Sequence, residues 1–251
     1  MDICCAYFRG EFHMKKFGDA DAAFLPVGNV TAFAINHEVT SIVQEDFQAL
    51  GGNACSIDYV NSATVNMTLG CLKKENIAIA LQGTATDLAI TTVSDEEHEV
   101  IALGSLIPLA FIPLKSSVVV TDGETVPVTY VLNEDYIVTS AGIIPLVGGN
   151  IAVNDVISVS YTYGAGAKVE GITTGQQVYE VIFDGINYGE EGEQEVVARI
   201  WRVKFAPAAT LALLTSGEFA TIELVGTLLK DESKIGTGIS KYYNFESRDI
   251  V

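Results

Sequence analysis

The chain has 251 residues, of which 49 % are hydrophobic and 18 % charged, a composition that supports a sizeable core and excludes a disordered chain. Its formal net charge of −18 argues against nucleic-acid binding, because phosphate recognition needs clustered Lys and Arg. The longest uncharged apolar stretch, Val100–Leu114, is interrupted by Gly104, Pro108 and Pro113. It is too short and too broken to cross a bilayer as a helix, so we expect no membrane partner.

The start of the sequence and its cysteines indicate synthesis in a cytosol. The chain does not open with a basic region followed by an apolar run, so no secretory signal is visible. The cysteines include no C-x-x-C pair of the kind that binds zinc, and adjacent cysteines do not easily form a disulfide with each other. The four residues are Cys4, Cys5, Cys55 and Cys71. We expect them to be reduced thiols.

Strand patterns dominate the first third of the chain. Two segments rich in β-branched and aromatic residues, Asn29–Ile35 and Glu38–Val43, predict strands joined by a turn at Asn36-His37. After a breaker at Gly51-Gly52-Asn53, apolar and polar residues alternate along Ser56–Leu69. This period of two is typical of strands with one buried face.

Two polar segments follow these strands. Lys73–Leu81 predicts a short amphipathic helix that covers one face of a sheet, and Gly83 is a natural stop for it. Asp95–Val100 predicts a helical turn or a loop.

From Pro113 to Gly164 the pattern changes to short strands at regular spacing, separated by Gly, Asn and Asp breakers. This spacing is typical of an all-β sandwich. The predicted strands are Ser117–Val120, Val126–Leu132, Tyr136–Ser140, Ile143–Leu146 and Val156–Tyr163.

The last third of the chain returns to longer strands. The acidic, glycine-rich Gly185–Glu195 predicts an exposed loop. Glu195–Phe205 and Glu218–Leu229 predict strands, and the apolar Pro207–Thr215 between them predicts a short helix packed on the core. The polar tail from Lys230 onward predicts an extended arm.

The sequence thus predicts a mainly β protein with one short helix. We expect an N-terminal arm at residues 1–26, a core at 27–112 and 165–230, and a C-terminal arm at 231–251. Residues 113–164 would form a β-rich insertion or a small Ig-like module.

The residues that usually carry chemistry are sparse. His13, His37 and His98 lie far apart and have no metal-ligand spacing. The acidic cluster Glu190, Glu191, Glu193 and Glu195 lacks the spacing of a calcium loop, so a solvated loop is the better interpretation. We therefore predict no catalytic residue, no metal site and no cofactor, and a protein that is not an enzyme.

Several segments resemble the tail tube (major tail) proteins of long-tailed bacteriophages, in particular those with non-contractile tails. In residues 28–83 the resemblance rests on an opening turn, an acid-ended strand, a Gly-rich loop, an alternating strand and a segment of the type L-x-x-E-N-I-A-x-A-L-x-G. These parts are Gly28-Asn29-Val30, Val39–Asp46, Gly51-Gly52-Asn53, Val65–Leu69 and Leu72–Gly83. The β pattern from Asn133 to Tyr163 is common in phage virion proteins, and Arg199–Glu223 is similar to the closing strands of tube proteins.

The resemblance implies a β-sandwich or barrel with one flanking short helix. It also implies a virion protein, assembled in the bacterial cytoplasm, whose copies form stacked hexameric rings around a DNA channel. Its partners would be further copies of itself together with the tape measure, tail terminator and baseplate proteins, and DNA would pass through without adhering. The implied inter-ring stacking loop contains Gln44, Glu45, Asp46, Phe47, Gln48, Leu50, Gly51, Gly52 and Asn53. The candidate acids of the lumen, which would repel phosphate, are Glu38, Glu45, Asp46 and Asp58.

Two other interpretations remain open. The chain could be another tail component with similar modules, such as a terminator, baseplate or adaptor subunit. From a different class, it could be a carbohydrate-binding β-sandwich protein that uses the acidic loop Gly189–Glu195. Ring or tube formation favours the tube, whereas calcium dependence or sugar binding favours the last interpretation.

Overall fold

The computed structural model describes residues 6–47, 52–189 and 192–250, and these residues fold into two compact units. The first unit contains the described residues up to Ala85 and from Val169 onward, and the second is Thr86–Lys168. The protein is mainly β, which confirms the predicted fold class.

The described residues form the following elements in chain order. They are β1 (Phe8–Lys16), β2 (Leu25–Gly28), β3 (Val30–Glu45), β4 (Asn53–Leu69), α1 (Lys74–Ala80), β5 (Thr84–Leu88), β6 (Thr91–Glu99), β7 (Ile107–Pro108), a 3-10 turn (Lys115–Ser117), β8 (Val119–Thr121), β9 (Tyr136–Val138), β10 (Gly142–Pro145), β11 (Val156–Tyr163), β12 (Gly166–Glu170), β13 (Val178–Gly189), β14 (Gly192–Phe205), β15 (Ile222–Leu228) and β16 (Tyr243–Asp249).

The first unit is one large antiparallel sheet in the order β2-β1-β13-β14-β15-β4-β3, with β16 added to β14. Alternate residues of its strands face the core, as in Val65, Met67 and Leu69 of β4, which are all fully buried. The sheet is curled, since the ring centroids of Phe12 in β1 and Phe33 in β3 lie only 4.6 Å apart although four strands separate β1 from β3 in the strand order.

Helix α1 covers this core where the sequence predicted an amphipathic helix, over Lys74–Ala80 within the expected Lys73–Leu81. Ala80 is fully buried in the core cluster, and Ile77 packs against it. The buried Asn76 amide donates hydrogen bonds of 2.8 Å to the carbonyls of Val27 and Cys71, which fix the helix to the sheet. The helix is therefore a structural cover for the sheet.

The second unit is a small β-sandwich with its own core. Its two three-stranded sheets have the orders β7-β10-β9 and β6-β11-β8. Ile143 of the first sheet and Ile157 and Val159 of the second are fully buried in one apolar cluster. The compact unit spans Thr86–Lys168 and is thus wider than the module expected at residues 113–164.

The second unit is inserted into the first through two chain segments. One segment leaves through β5 and the other returns through β12, and these two strands pair as a separate two-stranded sheet. The pairing is close at Gly83, where any side chain would collide with the carbonyl of Glu170. Both connections therefore run side by side in a stem.

Four local predictions about strands were wrong. The strand expected at Val126–Leu132 is not formed, because this segment has only isolated bridges at Thr129 and Leu132. The expected turn at Asn36-His37 lies inside β3, because both residues pair with β4, His37 with Ala63. Asp95–Val100 is not a helical turn, since most of it belongs to β6, which pairs with β11. The predicted loop Gly185–Glu195 is largely the end of a hairpin whose ladder continues to the pair of Gly189 with Gly192.

The predicted short helix at Pro207–Thr215 was also wrong, because this segment contains no regular element. The two expected arms differ from the structure as well. Residues 1–26 include β1, which pairs with β13 along its whole length and buries Phe12 and Met14 in the core. The C-terminal segment includes β16, which pairs with β14 from Tyr243 to Asp249. Both segments belong to the sheet because strands far apart in sequence complete its ladders.

The β1–β13 pairing depends on two facing glycines, Gly10 and Gly185. The Phe183 ring lies over both backbones, and a side chain at Gly10 would collide with it and with the backbone of Asp184. Replacing Gly10 by Ala is therefore expected to destabilise the first unit by about 1–3 kcal/mol, the usual cost of overpacking.

Urea unfolding followed by circular dichroism measures this change. Gly175→Ala is the matched control, because a side chain there would meet no atom within 4 Å. Equal stabilities for the two variants would contradict the placement of β1 in the sheet.

Candidate assembly surface

An extension of the β3–β4 hairpin beyond the sheet carries a run of exposed apolar side chains. Strand β15 pairs with β4 only over Thr64–Leu69. Beyond that point, Glu38–Glu45 and Asn53–Ser62 pair with each other and, within the described residues, with no third strand. We call these two segments the ribbon. The eight residues of its first strand span about 26 Å at the usual rise of a strand.

One face of the ribbon, the isoleucine face, carries Thr40, Ile42, Ile57 and Tyr59, which lie opposite each other in pairs. Ile42 is 60 % exposed and Ile57 66 % exposed. In a protein that stays monomeric, the apolar residues of a strand lie on the face that packs against the core. The isoleucine face instead presents β-branched and aromatic side chains to solvent, as an incomplete interface does.

The other face, the aspartate face, is mixed. Val39 and Val60 lie opposite each other and are exposed. Next to them the Ser41 hydroxyl donates a 2.5 Å hydrogen bond to the Asp58 carboxylate. Because both faces bear exposed valine or isoleucine, neither orientation of the ribbon against the core would hide its apolar surface.

The ribbon also presents a long free edge. Strand β3 pairs with β4 over Val30–Glu45 and with no other strand of the described chain. Its unpaired N–H and C=O groups can accept a strand from another chain, and proteins that remain monomeric shorten or block such edges. Exposed faces and a free edge occur together here, so the ribbon is suited to bind another chain.

The structure places part of the predicted stacking loop at the tip of the ribbon. Gln44 and Glu45 end β3, and Asn53 begins β4. The Asp46 N–H donates a 2.9 Å hydrogen bond to the Gly52 carbonyl and so narrows the tip. The Phe47 side chain is 88 % exposed. Three other residues predicted for this loop lie outside the described residues, namely Gln48, Leu50 and Gly51.

The four candidate lumen acids do not share one surface. Glu38 lies on the isoleucine face, where its carboxylate accepts a 2.8 Å hydrogen bond from Ser62. Asp58 lies on the aspartate face, and Glu45 lies on that face by the alternation of β3. Asp46 follows the end of the strand. A shift of register at Glu38–Val39 places one extra residue in β4, and no sequence pattern marks it.

A half-buried polar cluster in the second unit was missed by the sequence analysis. The Tyr161 hydroxyl donates a 2.7 Å hydrogen bond to Glu96, whose carboxylate also accepts from the Ala110 N–H at 3.1 Å. His98 Nε2 lies 2.9 Å from the same carboxylate. Tyr161 is only 1 % exposed. Burial, and then the bond to Glu96, raise the pKa of Tyr161 to about 12, so the tyrosine is a neutral donor that ties β11 to β6.

The acidic run at residues 190–195 is part of a strand pair where the structure describes it. Glu193 and Glu195 lie in β14, and Glu195 forms an ion pair with Arg248 of β16, whereas Glu190 and Glu191 are outside the described residues. Across the described ranges, no group of three or more His, Cys, Asp or Glu side chains is placed to hold a metal ion. The same ranges contain no helix with the length and apolarity that a bilayer crossing requires.

Fold and surface define the class of this protein: a mainly β chain of two units, one of which projects an apolar ribbon. A family model described as "Protein of unknown function UCP028589" matches residues 5–246, nearly the whole chain. The chain belongs to this family. A search of the curated proteins finds no match.

The Tyr161–Glu96 contact predicts a specific loss of stability in alkali. The pKa of Tyr161 in the folded protein, about 12, lies above the ordinary value of 10.0. The neutral Tyr161 hydroxyl therefore contributes fully to the free energy of unfolding below pH 10, and this contribution is lost as the pH rises from 10 to 12. We expect the free energy of unfolding of the wild type to fall more steeply over this range than that of Tyr161→Phe.

Chemical unfolding at pH 8, 10 and 11.5 gives this comparison. Tyr7→Phe, at an exposed tyrosine of the first unit, is the control for general effects of tyrosine ionisation. Parallel pH dependence in the wild type and in Tyr161→Phe would contradict the assigned role.

Proposed function

We propose that this protein is a structural subunit that assembles with copies of itself through the ribbon. The observation that carries the proposal is the isoleucine face, with Ile42 and Ile57 more than half exposed next to the free edge of β3. Full burial of a side chain of this size contributes about 1.5–3 kcal/mol. Repeated around a ring, such contacts suffice to hold copies together.

We further propose that the assembly is the tail tube of a long-tailed bacteriophage, built from stacked hexameric rings. The support is the sequence resemblance of residues 28–83, which include the whole ribbon, and the acidic balance of the chain. A subunit with a net charge of −18 repels DNA, so a channel formed from it would let DNA pass without adhering. Glu38 and Asp58 lie on opposite faces of the ribbon, so at most one of them would face the channel from a given ribbon.

Negative-stain electron microscopy of the concentrated protein tests the proposal. We expect hollow tubes or six-fold rings about 100 Å across, the width of six domains of this size around a channel that admits DNA. Closed rings that do not stack would favour a terminator or adaptor subunit. Monomers at every concentration, also when tail initiation proteins are supplied, would contradict self-assembly.

The role of the ribbon is tested by the double variant Ile42→Ser, Ile57→Ser. Both side chains are exposed in the monomer, so the variant should fold normally and yet lose assembly, with a critical concentration at least about tenfold higher. Sedimentation velocity and microscopy measure assembly, and thermal unfolding measures the fold.

The matched control makes the same two changes in the second unit, at Ile101 and Ile112, which are also highly exposed. We expect this control to assemble as the wild type does. An equal loss of assembly in both double variants would contradict a special role for the ribbon.

A further inference from the structure

A groove with a volume of about 670 Å³ lies in the first unit between the end of β1, strand β2, helix α1 and residues 174–179. Small-molecule sites usually have volumes of about 300–1,000 Å³. The walls of the groove are mainly aliphatic and include Met14, Leu25, Ala78 and Ile79. Leu25 is 56 % exposed. The groove therefore offers an uncovered aliphatic surface that is large enough for a small molecule.

The lining of the groove is positively charged, although the chain as a whole has 32 acidic and only 14 basic residues. Its charged members are Lys15, Lys16, Lys73 and Glu75. Two of them have partners of opposite charge. The Lys15 ammonium lies 3.2 Å from the Glu180 carboxylate, and the Glu75 carboxylate lies 3.7 Å from the Lys74 ammonium. These two charges of the lining are therefore compensated.

The other two lysines of the lining are not compensated by an acid. Lys16 forms no ion pair within the part of the chain that the structure describes. The Lys73 ammonium donates a 3.0 Å hydrogen bond to the Pro26 carbonyl, which carries no charge. Both lysines are exposed, so their ammonium groups are accessible to a ligand. The aliphatic groove thus has two positive charges at its rim.

A polar side chain of the lining also lacks a partner. Gln82 follows α1, and its backbone carbonyl accepts hydrogen bonds from the N–H groups of Thr173 and Thr174. The Nε2 atom of Gln82 is buried and has no hydrogen-bond acceptor among the described residues. A buried amide donor without an acceptor is destabilising. A ligand oxygen that reached this amide would remove that cost.

We infer that the groove binds a small amphipathic carboxylate, an aliphatic chain that ends in one acid group. The aliphatic chain would cover Met14, Leu25 and Ile79, and the carboxylate would meet the ammonium groups of Lys16 and Lys73. A neutral apolar ligand would leave both charges unmatched, and a cation would be repelled. The charge of the rim thus selects the acid group, and the walls select the aliphatic chain. This site goes beyond the proposed self-assembly and does not depend on it, because one copy supplies the whole lining.

Isothermal titration calorimetry of the full-length protein tests the inference. Octanoate, nonanoate and decanoate are titrated below their critical micelle concentrations, with octanol as the uncharged counterpart of octanoate. We expect one site per chain and an affinity that rises by up to about fourfold for each added methylene, because each one buries further apolar surface. Octanol should bind at least about tenfold more weakly than octanoate, since its hydroxyl has no charge to pair with the lysines.

The double variant Lys16→Gln, Lys73→Gln tests the headgroup contact. It should lower the affinity for decanoate by about tenfold or more and leave the affinity for octanol unchanged, because only the acid group loses its partners. The matched control is Lys115→Gln, Lys230→Gln. It makes the same change in net charge at two exposed lysines outside the groove, and it should bind decanoate as the wild type does.

Nuclear magnetic resonance locates the ligand. The chain has only three methionines, so ¹³C labelling of their methyl groups gives a simple spectrum, in which the variant Met14→Leu identifies the Met14 signal. Decanoate should shift the Met14 methyl resonance more than that of Met67, since Met14 lines the groove and Met67 is fully buried in the core.

Several outcomes would overturn the inference. These are no binding of decanoate, an equal loss of affinity in both double variants, and a Met14 resonance that decanoate leaves in place. Tighter binding of decyl phosphate than of decanoate would overturn the assignment of a carboxylate. Tighter binding of a capped acidic dipeptide would assign the groove to a protein segment instead. None of these outcomes bears on self-assembly, which microscopy of the protein without ligand tests separately.

Discussion

Pairing along strand β14 is the interaction on which the first unit depends. Its whole length pairs with β13, its first half also pairs with β16, and its last residues also pair with β15. The fully buried Val196, Ile200 and Val203 fix which face of this strand meets the core. Strand β1 pairs with β13, and β16 pairs with β14, so an early strand and the last strand of the described chain both join the middle of the sheet. Strand β14 also pairs with β15, and β15 pairs with β4, so this central strand positions the β3–β4 hairpin and its ribbon.

A two-stranded ribbon is marginal by itself, and its attachment to the sheet explains why it can persist. Strand β4 enters the core with Val65, Met67 and Leu69 fully buried. Since a slip by one residue would turn these side chains out of the core, the buried half sets the register of the exposed half. The ribbon therefore holds apolar side chains in a fixed arrangement without covering them, which reduces the conformational entropy lost when another chain binds.

The fold class and several elements could be predicted from sequence because they have local signals. Alternation predicted Val156–Tyr163 with the bounds that β11 has, and amphipathic spacing predicted α1. The segments assigned as arms failed because β1 and β16 acquire their structure from partners more than 40 residues away. The ribbon residues were selected through the resemblance, but their faces depend on a register shift at Glu38–Val39.

The paired strands β5 and β12 affect which changes to the second unit the rest of the fold can tolerate. The chain enters the second unit through β5 and leaves it through β12, and these two strands pair with each other. Lengthening, exchanging or losing the sandwich would leave the order of strands in the sheet unaltered, since domain insertions are tolerated where both ends lie close together. The sandwich can therefore vary as an independent module, while the parts proposed for assembly stay the same.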